Sequence, residues 1–524
     1  MKKGIIAAML VLLFGLFSGA WADSKPLSGD VELEKGEWTA LARRYPMPYR
    51  GPSENPEAPS PEILAHWWDV LGDETLTELV LASLEGNRDI VSARSKFAEA
   101  RATLGISKSA LLPWLDGGTA ITRSRTGEDA TADQKQVGPR DSYSLAIDAS
   151  WELDISGGQT QKIKAGAADL QAEYGALHGA WVSLASEVAL NYVSLRTLQK
   201  RLVVAENNLA LQRATVELLQ SQYDSGLSDE LALSQARYTM EGTRSAIPPL
   251  KTSIEEAMNR LAVLVGQVPG SLEERLGEFR PLPKPDLSLL VGIPANALRQ
   301  RPDIYEAERR LVAQVARKKA AQTDFWPKLN LLGSIGLESL SSARGLSASD
   351  GFGFSFGPQL SWPIFHGSAI RDNIRVQTAK EEQALAAYEQ TVLAAVADVR
   401  DALTAETQER HRNLYLRRAV DAAQTARQVA EDRYGHGLTD FNNVISAQSA
   451  LLDLEEQHAV SEGEMLANVI RLFKALGGGW APLAEGEASP PAVAEKALRG
   501  VELSDESQAY LEAIRKDLKG KTQP

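Results

Sequence analysis

The heptapeptide YDSGLSD, Tyr223–Asp229, recurs as YGHGLTD, Tyr434–Asp440, with tyrosine, glycine, leucine and aspartate at matching positions. The match extends well beyond these seven positions. Trp151 and Trp362 are separated by the same number of residues as the two heptapeptides, and each closes a segment of alternating apolar and polar residues. A fixed offset maintained over such a distance predicts a tandem duplication, so each copy should fold as the same structural unit.

Each copy contains a predicted β-hairpin. In each copy a helical segment first ends at a proline, Pro113 in the first copy and Pro327 in the second. The separation between these two prolines is slightly larger than that between Trp151 and Trp362. In DSYSLAIDASWELD, 141–154, apolar and polar residues alternate, and GFGFSFGPQLSW, 351–362, repeats the pattern. The alternation fits a soluble sheet with one buried face or a lipid-facing barrel wall, and four strands cannot close a barrel alone. The hairpins are predicted at about 115–154 and about 329–362.

A very long helix follows each hairpin. From Ser368 to Tyr434 the chain contains neither glycine nor proline. A continuous helix of this length would extend about 100 Å, although two or three shorter helices joined by polar turns are an alternative. In the first copy, large side chains follow the four-and-three spacing of a coiled-coil seam. They are Leu170, Tyr174, Leu177, Trp181, Leu184 and Val188.

The repeated heptapeptide lies between this long helix and a second helical segment that runs back. The glycine and aspartate of the heptapeptide suit a turn between two antiparallel helices. In the first copy, Gly242 and Pro248–Pro249 are predicted to interrupt the returning helix. Each copy therefore ends in a long helical hairpin whose tip is the repeated heptapeptide.

The N-terminal segment, 1–22, has the features of a cleaved secretory signal. Two lysines, Lys2 and Lys3, precede an apolar run from Ile5 to Phe17, and small residues stand at the predicted cleavage site. The run is shorter than the ~20 residues that span a bilayer. The chain is acidic, with a formal net charge of −13, which argues against binding to nucleic acid.

The sequence lacks the residues of several site classes. It contains no cysteine, which excludes disulfides, thiolate metal sites, thiol nucleophiles and a lipidated cysteine. The six histidines are dispersed without metal-ligand spacing. No catalytic serine motif, phosphate-binding glycine loop or His-Glu helix motif is present. We therefore predict no cofactor, no metal and no enzymatic activity.

The order helix, proline, β-hairpin, long helix, YxxGL tip and returning helix, present twice, resembles the TolC family of outer-membrane factors. Three stretches resemble its NodT-type subgroup of efflux channels: HWWDVLGDETLTELVLASLEGNRDI, 66–90; RPDIYEAERRLVAQVA, 301–316; and SWPIFHGSAIRDNI, 361–374. The resemblance implies a mainly α fold with a small transmembrane β part. It also implies a homotrimer in which a twelve-stranded β-barrel in outer-membrane lipid continues into a periplasmic α-helical barrel.

The resemblance further implies a passive exit duct of a tripartite efflux pump. A periplasmic adaptor and an inner-membrane pump of the resistance-nodulation-division type would be its partners, and drugs or other small molecules its cargo. The implied location is the bacterial outer membrane with a periplasmic extension. Many NodT-type members carry a lipidated cysteine, which this chain lacks.

We predict six segments from these features. They are a signal peptide, 1–22; a proline-rich periplasmic segment, 23–64; repeat 1, 65–270; a linker, 271–300; repeat 2, 301–480; and a periplasmic tail, 481–524.

The resemblance assigns roles to the residues of the two tips. It places Tyr434 at the gate tyrosine, with Thr439, Asp440, Asn443 and Ser446 as further gate candidates. Because Thr439, Asn443 and Ser446 stand where some members have charged residues, we expect a gate of hydrogen bonds and packing. The adaptor-contact candidates are Gly226, Leu227, Gly437 and Leu438.

The same residues suit simpler structural roles. Glycine after a helix end supplies a positive φ, and Ser228 or Asp229, and Thr439 or Asp440, suit the N-cap of the next helix. The side chain of Asp440 could cap a helix or face the channel, and the ring of Tyr434 could close a gate or only pack in a core.

Two other functions remain open from the sequence. The same fold could serve type I protein secretion, although the NodT-like stretches favour efflux of small molecules. A soluble periplasmic coiled-coil scaffold would explain the helices and leave the two amphipathic hairpins without a purpose.

Overall fold

The computed structural model describes residues 65–125, 139–283, 301–340, 346, 349 and 351–479. All of them fall within one contact unit, Gly51–Pro524. The predicted signal peptide, proline-rich segment and C-terminal tail lie outside the described residues, as do linker residues 284–300.

The order of one helix, two strands and two long helices occurs twice among the described elements. The first copy has a 3-10 helix, Trp67–Leu71, followed by α1 Glu74–Gly86, α2 Arg88–Ser109, β1 Trp114–Arg125, β2 Pro139–Leu153, α3 Gly158–Asp224, α4 Glu230–Val265 and the short α5 Glu273–Leu276. The second copy has α6 Pro302–Thr323, β3 Lys328–Ser339, β4 Phe352–Ser361, α7 Ala369–Gly435 and α8 Phe441–Ala475. The predicted fold class, mainly α with a small β part, is confirmed.

The two long helices, α3 and α7, are each continuous from end to end. The alternative of several shorter helices is therefore wrong. In α3 the seam residues Leu177, Trp181, Leu184 and Val188 are buried, as their spacing predicts. Burial of a continuous apolar stripe stabilises a helix far more than the intrinsic preferences of its residues do.

The predicted interruption of α4 is also wrong. This helix runs without a break through Gly242 and the pair Pro248–Pro249. A proline removes one backbone hydrogen bond and crowds the preceding turn, but here the two prolines and the glycine lie on the exposed side. Thr243 and Leu250 on the opposite side are buried, and this packing keeps the helix continuous.

The four strands form one antiparallel sheet in the order β1-β2-β3-β4. The two hairpins are joined by the pairing of β2 with β3, in a register that sets Leu145 opposite Leu337. A tryptophan ties each hairpin to the end of the preceding helical segment. Trp151 Nε1 donates to the carbonyl of Leu111 at 2.9 Å, and Trp362 Nε1 donates to that of Phe325 at 3.1 Å.

The apolar face of this sheet is exposed. The side chains on it come from all four strands and are brought into line by the register. They include Ile121, Leu145, Ile147, Ile335, Phe354, Phe356 and Leu360. Within the described part of the chain nothing covers this face, which contradicts a soluble sheet with one buried face and favours a sheet that meets lipid.

The helices pack in a row and in two hairpins. In the row, α3 lies between α2 and α6, and α6 lies between α3 and α7. The hairpins are α3 with α4 and α7 with α8, and α8 also packs on α3. The main core gathers the 3-10 helix, α1, the middle of α3 and the ends of α4 and α8, where Trp67 stacks on Phe473 with ring centroids 5.4 Å apart.

None of the helices that the structure describes combines the length and the apolar character needed to cross a membrane.

Candidate functional site at the two helical tips

Each tip is a tight turn built around a glycine with positive φ. In the first tip the N–H of Leu227 bonds to the carbonyl of Gln222 at 2.7 Å, and Gly226 has φ 73°. In the second tip the N–H of Leu438 bonds to the carbonyl of Arg433 at 2.8 Å, and Gly437 has φ 69°. Both follow the Schellman pattern, which requires a left-handed residue after the helix end.

The two turns present an apolar side chain to solvent. Leu227 and Leu438, each directly after the positive-φ glycine, are both exposed. A Cβ built at Gly226 or Gly437 would meet no atom within 4 Å, so the glycines are needed for their backbone conformation and not for space. The four residues predicted from the resemblance as adaptor contacts are therefore accessible at the ends of the hairpins.

The N-caps of the two returning helices differ. Asp229 accepts a hydrogen bond from the N–H of Ala232 at 2.8 Å, which confirms the predicted cap of α4. Asp440 occupies the N-cap position of α8 with extended backbone angles, but its side chain makes no capping hydrogen bond. The prediction of a side-chain cap is wrong for Asp440, and its carboxylate is exposed.

The remaining gate candidates lie at the start of α8. Asn443 Nδ2 donates to Thr439 Oγ1 at 2.7 Å, so these two side chains hold each other. Ser446 Oγ donates to the carbonyl of Asn442 at 2.7 Å. Asp440 is the acidic residue among the gate candidates. Its carboxylate faces solvent beside the neutral pair formed by Thr439 and Asn443.

Tyr434 is the gate candidate that the structure places between the two hairpins. Its hydroxyl donates to Gln222 Oε1 at 3.4 Å, and its ring lies 5.2 Å from that of Phe441 at an angle of 59°. Its repeat equivalent, Tyr223, is exposed. The equivalent tyrosines therefore have different surroundings in the two copies.

A small apolar cluster, the tip cluster, joins the hairpins next to Tyr434. Its buried members are Leu219, Ala232, Leu233, Ala236, Phe441 and Val444, and Val216, Ala430, Tyr434 and Ile445 pack around them. They come from α3, α4, α7 and α8. Gln222 and Phe441 are not among the residues predicted from the sequence. The helical spacing of Phe441 and Val444 is a signal for the tip cluster, whereas nothing near Gln222 indicates a partner in the other copy.

Polar contacts connect the hairpins farther from the tips. Lys200 forms an ion pair with Glu462, and Arg201 Nη2 lies 3.6 Å from Glu456 Oε2. Asn208 Nδ2 donates to Glu455 Oε2 at 3.0 Å. All three contacts link α3 to α8, so any separation of the two hairpins must break polar bonds as well as the tip cluster.

No metal site is formed by the described residues, among which no group of three or more His, Cys, Asp or Glu side chains is suitably placed.

Comparison with known proteins identifies the family. Residues 79–267 and 293–478 match the family model described as outer membrane efflux protein, once in each copy. The chain belongs to the outer membrane efflux protein family. It is accordingly an outer-membrane efflux channel and not an enzyme, and the soluble scaffold hypothesis is wrong. With no cysteine in its sequence, it has no lipid anchor through that residue.

Relatives of this efflux protein share most of its length. Toluene efflux pump outer membrane protein TtgF of Pseudomonas putida is 29% identical over 415 residues, or 79% of this chain and 85% of the relative. Nodulation protein T of Rhizobium leguminosarum bv. trifolii is 28% identical over 426 residues, or 80% of this chain and 89% of the relative. The similarity to NodT expected from the sequence is therefore confirmed.

Solved structures agree with the fold. The outer-membrane channel OprN is 32% identical with a TM-score of 0.75, covering 80% of this chain and 93% of that one. The Campylobacter jejuni CmeC outer membrane channel, 21% identical, has the same fold with a TM-score of 0.77 over 86% of this chain and 94% of that one.

Proposed function

We propose that this efflux protein works as a homotrimer that conducts drugs or other small molecules out of the periplasm. The observation that carries the proposal is one chain with a four-stranded sheet, apolar on its exposed face, and two helical hairpins that each contain a very long unbroken helix. Three such sheets supply twelve strands for a closed barrel in outer-membrane lipid. Helices of about 100 Å are long enough to extend far into the periplasm.

Energy for transport comes, in this proposal, from an inner-membrane pump of the resistance-nodulation-division type through a periplasmic adaptor. Relatives named as efflux pump outer membrane proteins support these partners. The adaptor contacts are assigned to Gly226, Leu227, Gly437 and Leu438. Exposed leucines on rigid turns offer a defined apolar surface at the periplasmic ends of the hairpins.

The resting channel is proposed to close at the second tip, through Tyr434 and the polar side chains of Thr439, Asp440, Asn443 and Ser446. The hydrogen bond of Tyr434 to Gln222 and the packing of its ring on the tip cluster, which includes residues of both hairpins, hold the second hairpin against the first. Opening then requires the tip cluster to separate. Hydrogen bonds and packing supply the closing energy at the tip.

Deletion of the gene from the source bacterium tests the cargo. We expect deletion mutants to accumulate a fluorescent efflux dye and to become sensitive to toxic small molecules, with both defects reversed by the wild-type gene. An unchanged dye level together with loss of a large protein from the culture medium would contradict this and support type I secretion. The purified protein should behave as a trimer in light scattering.

A further inference from the structure

The connection between each β-hairpin and the long helix after it differs between the two copies. In the first copy Asp154 lies in this connection and accepts hydrogen bonds from the N–H groups of Gln159 and Thr160, at 2.9 and 2.7 Å. A carboxylate that accepts from the first turn of a helix satisfies backbone groups that have no partner within the helix. The start of α3 is therefore held by a side chain.

The second copy has a phenylalanine, Phe365, at the position of Asp154, counted by the separation of Trp151 and Trp362. A phenylalanine cannot accept a hydrogen bond, and α7 begins without a side-chain cap. Phe365 is 85% exposed, and Ile364 before it is 86% exposed. At this place the second copy has two uncovered apolar side chains where the first copy has a helix cap.

The backbone of this connection forms a defined turn, residues 363–367, which we call the junction loop. The N–H of Ile364 bonds to the carbonyl of Trp362 at 2.9 Å. Gly367 has φ 58°, in the left-handed region that favours glycine. The junction loop therefore presents Ile364 and Phe365 to their surroundings from a fixed turn.

The junction loop continues the exposed apolar face of the sheet. Along β4 this face carries Phe356 and Leu360, and Trp362 stands at the next place of the alternation. All three are exposed, and Ile364 follows two residues later. Because the chain is an outer-membrane channel, this face is the surface suited to lipid. The junction loop extends that surface at the end where the sheet meets the helices.

Exposed tryptophans mark the same end of the sheet. Trp114 opens β1, Trp326 precedes β3 and Trp362 follows β4. The register brings them to one level, because the start of β1 pairs with the end of β2 and the start of β3 with the end of β4. Tryptophan is enriched where a membrane meets water, so this level suits the boundary on the periplasmic side.

Charge is absent from the junction loop and its flanks. From Ser361 to Ile370 the chain contains no Asp, Glu, Lys or Arg, whereas the equivalent stretch of the first copy contains Glu152 and Asp154. An ionised side chain is costly to place in lipid. The first charged residue after the loop is Arg371, which is exposed in the first turn of α7 and suits a lipid phosphate.

We propose that Ile364 and Phe365 insert into the inner leaflet of the outer membrane and anchor the start of α7 to it. Lipid fits this place better than a neighbouring protein, because Ile364 continues the alternation of the sheet face, whereas a further strand would meet β4 at its edge. The anchor takes the place of the cap that Asp154 gives to α3. It ties the helix that carries Tyr434 to the membrane, whatever cargo the channel conducts.

A label on a single cysteine tests this position, since the chain has no native cysteine. The full-length variant Phe365→Cys is purified from outer membranes, labelled with an NBD maleimide and reconstituted into vesicles of phosphatidylethanolamine and phosphatidylglycerol. We expect blue-shifted emission. A lipid with a nitroxide near the top of its acyl chain should quench the label several-fold more strongly than iodide present on both sides of the vesicle.

Two labelled variants at equally exposed positions calibrate the measurement. Leu227→Cys, at the tip of the first helical hairpin, should be quenched by iodide and not by the nitroxide lipid. Phe356→Cys, on the sheet face, should show the opposite pattern. Ile364→Cys provides a second position in the junction loop if Phe365→Cys does not assemble in the outer membrane.

A charge in the junction loop tests the anchor itself. Ile364→Cys with Phe365→Asp places a carboxylate where the first copy has its cap. A carboxylate favours water over lipid, so iodide should quench the label in this variant several-fold more strongly than in Ile364→Cys alone. Equal iodide quenching in the two variants would show that Phe365 does not hold the loop in lipid, and would overturn the anchor.

Two further results would overturn the inference. Iodide quenching at Phe365 and Ile364 equal to that at Leu227 would place the junction loop in water. Weak quenching by both agents would place it under protein. Either result leaves the proposed duct standing, because dye accumulation in the deletion mutant is measured separately. An unchanged dye level in that mutant would overturn the proposed cargo without altering the pattern of label quenching.

Discussion

The hydroxyl of Tyr434 donates a hydrogen bond to Oε1 of Gln222 across 3.4 Å and so joins the tip of the second helical hairpin to the last turns of α3 in the first. The ring of the same tyrosine lies against Phe441 of its own hairpin and packs on the tip cluster, which also contains residues of the first hairpin. One side chain therefore combines a polar and an apolar link between the hairpins, and the polar link can be removed while the ring is kept.

Tyr434→Phe should weaken the closed state slightly, and Tyr434→Ala should weaken it more. The phenylalanine loses one hydrogen bond, typically about 0.5–1.5 kcal/mol, while the alanine also removes the ring from the tip cluster. Ion conductance of the purified protein in planar bilayers should rise in that order. Tyr223→Ala, at the exposed equivalent, is the matched control and should leave conductance at the wild-type level. Unchanged closed-state conductance in Tyr434→Ala would remove the gate assignment.

Replacement of Gly437 by phenylalanine should reduce efflux while the proposed trimer stays in the outer membrane. A residue with a Cβ at φ 69° costs about 1–2 kcal/mol, so the turn that presents Leu438 is distorted. Gly435→Phe is the control, because Gly435 is also uncrowded but ends a helix without a positive φ. Dye accumulation and outer-membrane trimer content are measured for both. Loss of the trimer in Gly437→Phe would indicate a purely structural role for this turn.

Removal of the two N-cap aspartates should have unequal effects. Asp229→Ala deletes the hydrogen bond to the N–H of Ala232 and should destabilise the start of α4 by about 1 kcal/mol. Asp440→Ala deletes no capping bond and should leave the start of α8 unchanged. Hydrogen exchange of the first turn of each helix reports both effects. Faster exchange in α8 of Asp440→Ala would show that its carboxylate does cap the helix.

Stability should fall as the pH drops through the range of His178. This side chain lies between Tyr174 and Trp181, with Nδ1 2.7 Å from the carbonyl of Tyr174, and burial lowers the pKa of its imidazole to about 4. The unfolded chain, with a histidine pKa of about 6.5, binds the proton more readily between these values. Stability is therefore full above about pH 6.5 and decreases by roughly 3 kcal/mol as the pH falls to about 4.

His178→Gln should remove this part of the pH dependence, whereas His411→Gln, at an exposed position, should retain it. The midpoint of thermal unfolding, followed by helical circular dichroism in detergent, is recorded from pH 7.5 to pH 4. Parallel pH profiles for wild type and His178→Gln would contradict the assignment to His178.

Local patterns in the sequence were sufficient to predict the helices, strands and turns and their duplication. The glycine-free and proline-free run before Tyr434, the alternation before Trp151 and Trp362, and the two tip heptapeptides each depend on neighbouring residues alone. They predicted the long helices, the hairpins and the turns because helix periodicity and strand alternation are read within a few residues. The local reading was wrong at Pro248–Pro249, where packing on the opposite face outweighs the cost of proline.

The tertiary structure decided how equivalent residues of the two tips differ in their contacts. Tyr223 and Tyr434 occupy the same position of the repeated heptapeptide, as do Asp229 and Asp440. The first tyrosine is exposed and the second meets Gln222, and the first aspartate caps its helix while the second does not. The contact of Tyr434 with Gln222 arises because α8 packs on α3 and brings together residues that lie far apart in the chain, and no local sequence pattern encodes that contact.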